Sequence, residues 1–399
     1  MGSLQERAKR IARGLAFWIV LVGSAAAQDG GFAPQPDLAI PPECWPPPCQ
    51  GCEPFDPLRS CCPSQDEFFL VPPRPNWYVV SDGAAIRRDP ARNFDFASLG
   101  LLPAGSAGPV NVVLSTGDFN YDFRAAGRGV IGHTLNECLQ IEGIYTGVSE
   151  AENSAAVRDA TPNVLGGKGN LFSPFGGFGA TPIDNLDYNN FAQIRYTSSL
   201  QSFELNIRRQ LPMPPERLTT SILFGVRYID LPEDFQYFTQ SDMVVNPPPN
   251  PPTPGVVTNT IHVATSNQMI GPQIGALFEF YVDNRWWVNV EMKAALMNNR
   301  AKQITDYQNV INGTVSAASF SQEEDHMAFA GDLALTFVYR WSPHFTTRLG
   351  YQALWLEELA LAPDNLNTNI EILRQGPAQL NHSAGSVYHG PFAGVAIGW

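Results

Sequence analysis

Twelve ionisable side chains fall where charge is expensive, inside long runs of otherwise apolar residues. They are Arg124, Arg128, Glu142, Glu204, Arg208, Arg227, Glu279, Glu291, Lys293, Asp332, Arg340 and Arg348. Each takes the parity opposite to the large apolar residues of its run, and a strand sends successive side chains to opposite faces. Charges gathered on one face can line a water path, where they tune ion preference; seven bases against five acids would favour anions slightly. Alternatively they pair with one another, fill a narrow barrel and close it. Glu291 and Lys293 are two apart and point the same way, and Arg340 or Asp332 could pair with them across strands.

Other chemistries are weakly supported. Asp325-His326 brings to mind the rim of an omptin-like protease, but no paired Asp-Asp or second Asp-His context accompanies it, so no catalytic residue is assigned and the chain is not read as an enzyme. Cys49-x-x-Cys52 is followed by Glu53 rather than His, which excludes c-type haem attachment. The spacing of Cys44, Cys49, Cys52, Cys61 and Cys62 suits disulfides better than zinc, and Cys138 stands far from them in a strand-like run. Gly166-Gly-Lys168-Gly-Asn170 lacks the Ser or Thr and the helix of a phosphate loop. With Ser173 to Ala180 it reads as a flexible outer loop. No cofactor or metal is expected. A net charge of −13 leaves no basic footprint for nucleic acid.

The elements that must position these charges are strands. In His326–Trp341 the residues Met327, Phe329, Leu333, Leu335, Phe337, Tyr339 and Trp341 take alternate positions, and the alternation resumes after Ser342-Pro343. The same period places strands at 76–87, 117–132, 135–149, 188–210, 217–231, 261–282, 285–303, 321–341, 344–360 and 386–399. Their connections alternate between tight (133–134, 211–216, 283–284, 342–343) and long (88–116, 150–187, 232–260, 304–320, 361–385). That asymmetry marks an all-β chain folded as a transmembrane antiparallel up-and-down β-barrel of about ten strands, with short periplasmic turns and long extracellular loops. Twelve strands would result if 88–116 held a further hairpin.

Membrane placement follows from three features. The strands are long enough to cross lipid, which needs about 9–11 residues. Trp286, Trp287, Tyr339, Trp341, Tyr351 and Trp355 sit near strand ends, as an interfacial aromatic girdle requires. The chain stops at Gly394-Val-Ala-Ile397-Gly-Trp399, a terminal signal of the kind read by the barrel assembly machinery. Upstream, a basic region and a short apolar run ending in Ala25-Ala26-Ala27 read as a signal peptide over 1–27. Residues 28–75 form a Pro/Cys-rich periplasmic segment suited to contact with the periplasmic matrix, and 76–399 form the barrel. The expected partners are thus outer-membrane lipid, the assembly machinery and that matrix, at the bacterial outer membrane.

Several ordered blocks, SFELNIRRQLP (202–212), RYIDLPEDF (227–235), NQMIGPQIG (267–275), KAALMNN (293–299), AFAGDLALTFVYRW (328–341) and GYQALWLEELALAPD (350–364), resemble the putative β-barrel porin family, seventh of that series. The resemblance spans roughly 77–399 and implies an outer-membrane barrel with no defined solute. Two functions follow as expectations: porin-like passage of small solutes if the lumen is open, or a sealed structural barrel that displays long loops.

Overall fold

A computed structural model of the protein describes residues 75–89, 93–101, 111–136, 138–211, 217–376 and 380–399. The signal-peptide and Pro/Cys-rich readings, with the matrix contact, fall outside them. In chain order the strands are β1 (Trp77–Arg88), β2 (Asp95–Leu99), β3 (Val112–Ser115), β4 (Arg124–Asn136), β5 (Leu139–Arg158), β6 (Leu171–Phe172), β7 (Phe191–Gln210), β8 (Leu218–Val244), β9 (Thr253–Tyr281), β10 (Trp286–Ile311), β11 (Thr314–Ser342), β12 (Phe345–Leu359) and β13 (Ala384–Gly398). A short helix, α1 (Ile370–Gln375), lies between the last two.

Ten of these close into an antiparallel barrel in the order β1-β13-β12-β11-β10-β9-β8-β7-β5-β4, with β1 pairing β4 to complete the ring. The seam between first and last strand is pinned at its end by two reciprocal bonds of 2.9 Å, Trp77 N–H to Trp399 O and Trp399 N–H to Trp77 O. A closed ring leaves no unpaired strand edge to face lipid, which is what permits a sheet to cross a bilayer. The outward parity is apolar through the crossing: Leu205, Ile207, Phe224, Ile274, Leu296 and Leu349 are all more than half exposed except Ile207, which is half exposed.

The barrel is taller than the sequence alternation suggested. β8, β9, β10 and β11 run 27, 29, 26 and 29 residues, about 90 Å each at ~3.3 Å per residue. Most of 232–260 and 304–320, expected as loops, is therefore strand. The β10–β11 connection is a two-residue hairpin, Asn312 (φ 48°) and Gly313 (φ 85°), the paired left-handed conformation of the type I′ turn. The β4–β5 turn also lies later than expected. Asn136 Oδ1 accepts from Cys138 N (3.0 Å) and Leu139 N (2.9 Å), so strand pairing continues past His133-Thr134. Cys138 in this turn is disulfide-bonded.

Along β8 and β9 the polarity code changes hands. In β8 the inward residues are Thr219, Ser221 and Arg227 low in the barrel, then Ile229, Leu231, Phe235 and Tyr237 above. Outward, Phe224 and Val226 give way to Asp230, Asp234 and Gln236. β9 switches between Ile270, which faces out, and Met269, which faces in. Below the switch the wall is built for lipid outside and polar groups inside; above it, for water outside and an apolar core inside.

That upper core is filled by the long connections. β2, β3 and β6 form a separate three-stranded sheet, so the strands within 88–116 join a cap and leave the barrel count at ten. Phe96, Leu114, Phe119, Leu171 and Phe175 pack against Ile194, Tyr196, Phe235, Tyr237, Ile261 and Val263 of the wall. Tyr237 donates its hydroxyl to Phe96 O at 2.8 Å. The segment expected as a flexible loop supplies Phe175 to this core, and Asp187 fixes it by accepting from Ser173 N (2.7 Å), Ser173 Oγ (2.7 Å) and Ile183 N (2.9 Å). Burial holds the Asp187 carboxyl above its ordinary pKa despite these donors.

Candidate functional site: the filled lumen

The inward register carries all twelve sequence-selected charges, and the structure brings nine of them into one layer across the lumen with a tenth residue, Asp82. Glu142 accepts from Arg208 Nε and Nη2 (3.0 and 2.9 Å) and from Tyr78 Oη (2.5 Å). Arg208 reaches on to Glu291 at 2.9 Å, and Arg128 approaches Glu291 at 3.4 Å and Asp82 at 3.8 Å. Glu204 accepts from Lys293 Nζ (2.8 and 2.9 Å), Gln273 (2.9 Å) and Asn206 (3.1 Å), with Arg227 at 3.9 Å. Arg227 also bonds Asp332 directly and Ser202 Oγ at 3.0 Å. Arg348 lies 3.8 Å from Asp82.

Five cations thus meet five anions: Arg128, Arg208, Arg227, Lys293 and Arg348 against Asp82, Glu142, Glu204, Glu291 and Asp332. No net charge is left in the layer to attract an ion of either sign. Side chains here are 2–19% exposed, so the groups solvate one another in place of water. Local sequence makes the packing possible. Gly394 sits between Asp82 and Arg348 in the register, and a Cβ there would meet Asp82 Oδ1 at 2.1 Å; without one, Arg348 can approach the carboxylate across β13.

Asp82 escapes the alternation test because β1 carries Val79 and Val80 side by side and Ala84-Ala85, so neither parity reads as polar. The remaining three charges lie outside the layer. Arg124 is above it and donates to Glu152 O at 3.0 Å. Glu279 and Arg340 line the cavity towards the short-turn end, where Arg340 bonds Asn284 O.

Directly above the charged layer stands an apolar septum to which every barrel strand contributes. Ile86, Leu200, Ile229, Leu231, Met269, Ala295, Met297, Ala328, Ala330, Leu356 and Tyr388 form one cluster, closed by Ala126 and Val148 and roofed by Leu359 and Leu361. Leu200, Ile229, Leu231, Met269, Met297 and Leu356 are each 0% exposed. Above it Arg88 pairs with Glu233 at 2.7 Å and donates to Ser386 (2.9 Å), Ser198 (3.1 Å) and Tyr196. The capped core follows. Below the charged layer the lumen widens to a vestibule of ≈ 260 Å³ open at the short-turn end.

The aromatic set divides. Trp286, Tyr339, Trp341, Tyr351 and Trp355 take the outward parity; Trp286 packs on Phe337 (5.4 Å between rings) and Tyr339 on Trp341 (4.8 Å). Trp287 does not belong to the girdle. Neighbours on a strand face opposite sides, and Trp287 turns inward, 8% exposed, against Tyr281 and Val338. Trp77, 42% exposed and stacked on His133 at 4.2 Å, was not selected from sequence. Of the terminal residues, Ile397 faces out, Gly394 serves the charged layer and Trp399 closes the seam. Asp325 and His326 fall on opposite faces: Asp325 is exposed opposite Arg300, while His326 stacks on His382 at 3.9 Å and lies 2.8 Å from Glu358 O.

Comparison with known proteins places the chain. Among solved structures, the outer membrane protease OmpT of Escherichia coli is similar at 11% identity over 81% of this chain and 97% of that one, with a TM-score of 0.40. A Pseudomonas aeruginosa FadL homologue matches at 8% identity, 82% and 95% coverage and TM-score 0.28, and the Pseudomonas putida toluene transporter TodX at 7%, 82% and 90%, TM-score 0.26. No curated protein sequence matches. The family model described as Putative beta barrel porin-7 matches residues 104–385, more than half of the chain. A ten-stranded barrel with a lipid-facing apolar wall, on a chain that this model covers, is a protein of the bacterial outer membrane and belongs to the Putative beta barrel porin-7 family.

Proposed function

We propose that this protein is a sealed outer-membrane barrel that holds a folded cap at the cell surface, rather than a pore for small solutes. The observation that carries this reading is the septum. An open channel needs a continuous polar path, and here buried apolar side chains from eight strands meet in one layer, with the partly buried Ala126 and Val148 of the other two packed against it. Ten strands are also nearer the eight that side chains can fill than the sixteen or so of an aqueous channel. Porin-like passage would require the septum, the Arg88–Glu233 layer and the cap to part together. A sealed barrel in turn suits display: four strands extend far above the lipid belt, and a fixed cap core packs on the inner face of three of them, β8, β9 and β10. The test is sugar uptake. Liposomes carrying the refolded protein should swell in isotonic arabinose no faster than empty ones; swelling at the rate of an open porin would overturn the proposal.

A further inference from the structure

We propose that the vestibule below the charged layer is a binding pocket for a small organic carboxylate with an apolar or aromatic body, entering from the periplasm. The proposal rests on the sealed-barrel reading in one respect, that the pocket ends blindly at the charged layer.

Unused donors carry the inference. Trp287 is 8% exposed, lines the vestibule, and its indole Nε1 has no acceptor among the described residues. Arg208, with a side chain 7% exposed, spends Nε and Nη2 on carboxylates but leaves Nη1 without a partner. Against these two donors the lining has one unmatched acceptor, Asn289 Oδ1. Asp82 lies behind the lining and faces Arg128 and Arg348, each at 3.8 Å. Buried donors without acceptors are costly, so a ligand that supplies acceptors is favoured.

Charge and shape narrow its class. Arg128, Arg208, Arg340 and Arg348 line the pocket with Glu142, Glu279 and Glu291, and Asp82 behind the lining balances the fourth cation from 3.8 Å off Arg128 and Arg348. The open Arg208 Nη1 sets the class, because guanidinium groups hold carboxylates through charge-assisted bonds. One wall is apolar: Tyr281 and Trp287, with ring centroids 5.7 Å apart, lie beside Val338 and Leu277. A pocket of ≈ 260 Å³ with one apolar wall and two unmatched donors in its lining accommodates a single ring or short chain bearing one carboxylate.

The experiment uses the full chain refolded in detergent micelles, with 4-fluorophenylacetate as probe and fluorine NMR line broadening as readout. 4-Fluorophenethylamine, of the same body and opposite charge, is the comparator, and empty micelles give the partitioning background. The carboxylate should bind saturably and the amine should not. Arg348→Gln should weaken binding at least about tenfold, the usual scale for losing one charge-assisted bond, and Trp287→Phe, which keeps the ring and removes the N–H, should weaken it severalfold. If Arg348→Gln does not fold, as judged by heat-shifted gel migration, Trp287→Phe carries the test. Equal binding of the amine, unchanged binding by the variants, or no saturable signal from folded protein would each overturn the proposal. Sugar uptake tests the seal and not the pocket, so the two readings fail separately.

Discussion

Removing the Glu204 charge should show whether the lumen layer is a dry network or a hydrated lining. Glu204 is 3% exposed in its side chain and holds Lys293 Nζ at 2.8 and 2.9 Å, with Gln273 and Asn206 completing its shell. Gln at this position keeps the volume but leaves Lys293 with Asp332, at 3.9 Å, as its remaining ion-pair contact, and raises the layer from neutral to one net positive charge. Breaking a buried pair by removing one partner costs about 3–5 kcal/mol, because the other charge stays buried. The same pair in water would be worth at most ~1 kcal/mol. Glu204→Gln should therefore lower unfolding stability by about 3 kcal/mol or more, and Lys293→Met by a similar amount. The double variant should recover most of the loss, since no lone charge remains. Urea unfolding in phospholipid vesicles, followed by tryptophan fluorescence, reads all three. Single losses below ~1 kcal/mol that add in the double variant would mean that water solvates these groups, and the dry-layer argument would fail.

Three further expectations follow from other parts of the barrel. His262 on the outer wall of the extension lies 2.7 Å from Asp234 and 3.4 Å from Asp306; burial lowers its pKa, but the two carboxylates outweigh burial and raise it. Its contribution to stability is then fully present below the unfolded value of about 6.5 and is lost as pH rises through the folded value. His262→Gln should flatten that pH dependence in unfolding midpoints; an unchanged profile would contradict it. Gly394→Ala places a Cβ 2.1 Å from Asp82 Oδ1, so the folded fraction on heat-modifiable gels should fall, whereas Ala at Gly127, where a Cβ meets nothing within 4 Å, should be tolerated. Gly313→Ala should cost about 1 kcal/mol for the left-handed turn, seen as faster hydrogen exchange at the β10–β11 tip; unaltered exchange there would argue against the hairpin.

Much of the wall was legible because alternation survives in sequence. Strand positions, the ten-fold count and the inward parity of Arg128, Glu142, Arg208 and Lys293 all follow from period two. The upper half was not, for a physical reason. At residues 228–229 of β8 and 269–270 of β9 the apolar parity passes from the lipid side to the lumen side, so a run read with one parity seems to end there and the remainder looks like polar loop. One signal was available: Asn312-Gly313 between two alternating segments is a hairpin turn, and it would have extended β10 and β11. The layer itself was half visible. Which charges share a level depends on strand register, and Asp82 sits in a strand without clear alternation. Trp287 was assigned to the girdle with Trp286 by proximity, though strand geometry allows only one of two neighbours to face lipid.

Whether apolar side chains close the lumen is read by single-channel recording in a planar bilayer. The native protein, verified as folded and inserted, should give no discrete conductance steps. Leu200→Ala/Met269→Ala/Met297→Ala, which trims three fully buried septum residues, should at most admit brief, small events, because the charged layer and the cap still stand on either side. Steady steps from the native protein, with an ion preference altered by Arg348→Gln, would contradict the account and make the charged layer the lining of a water path.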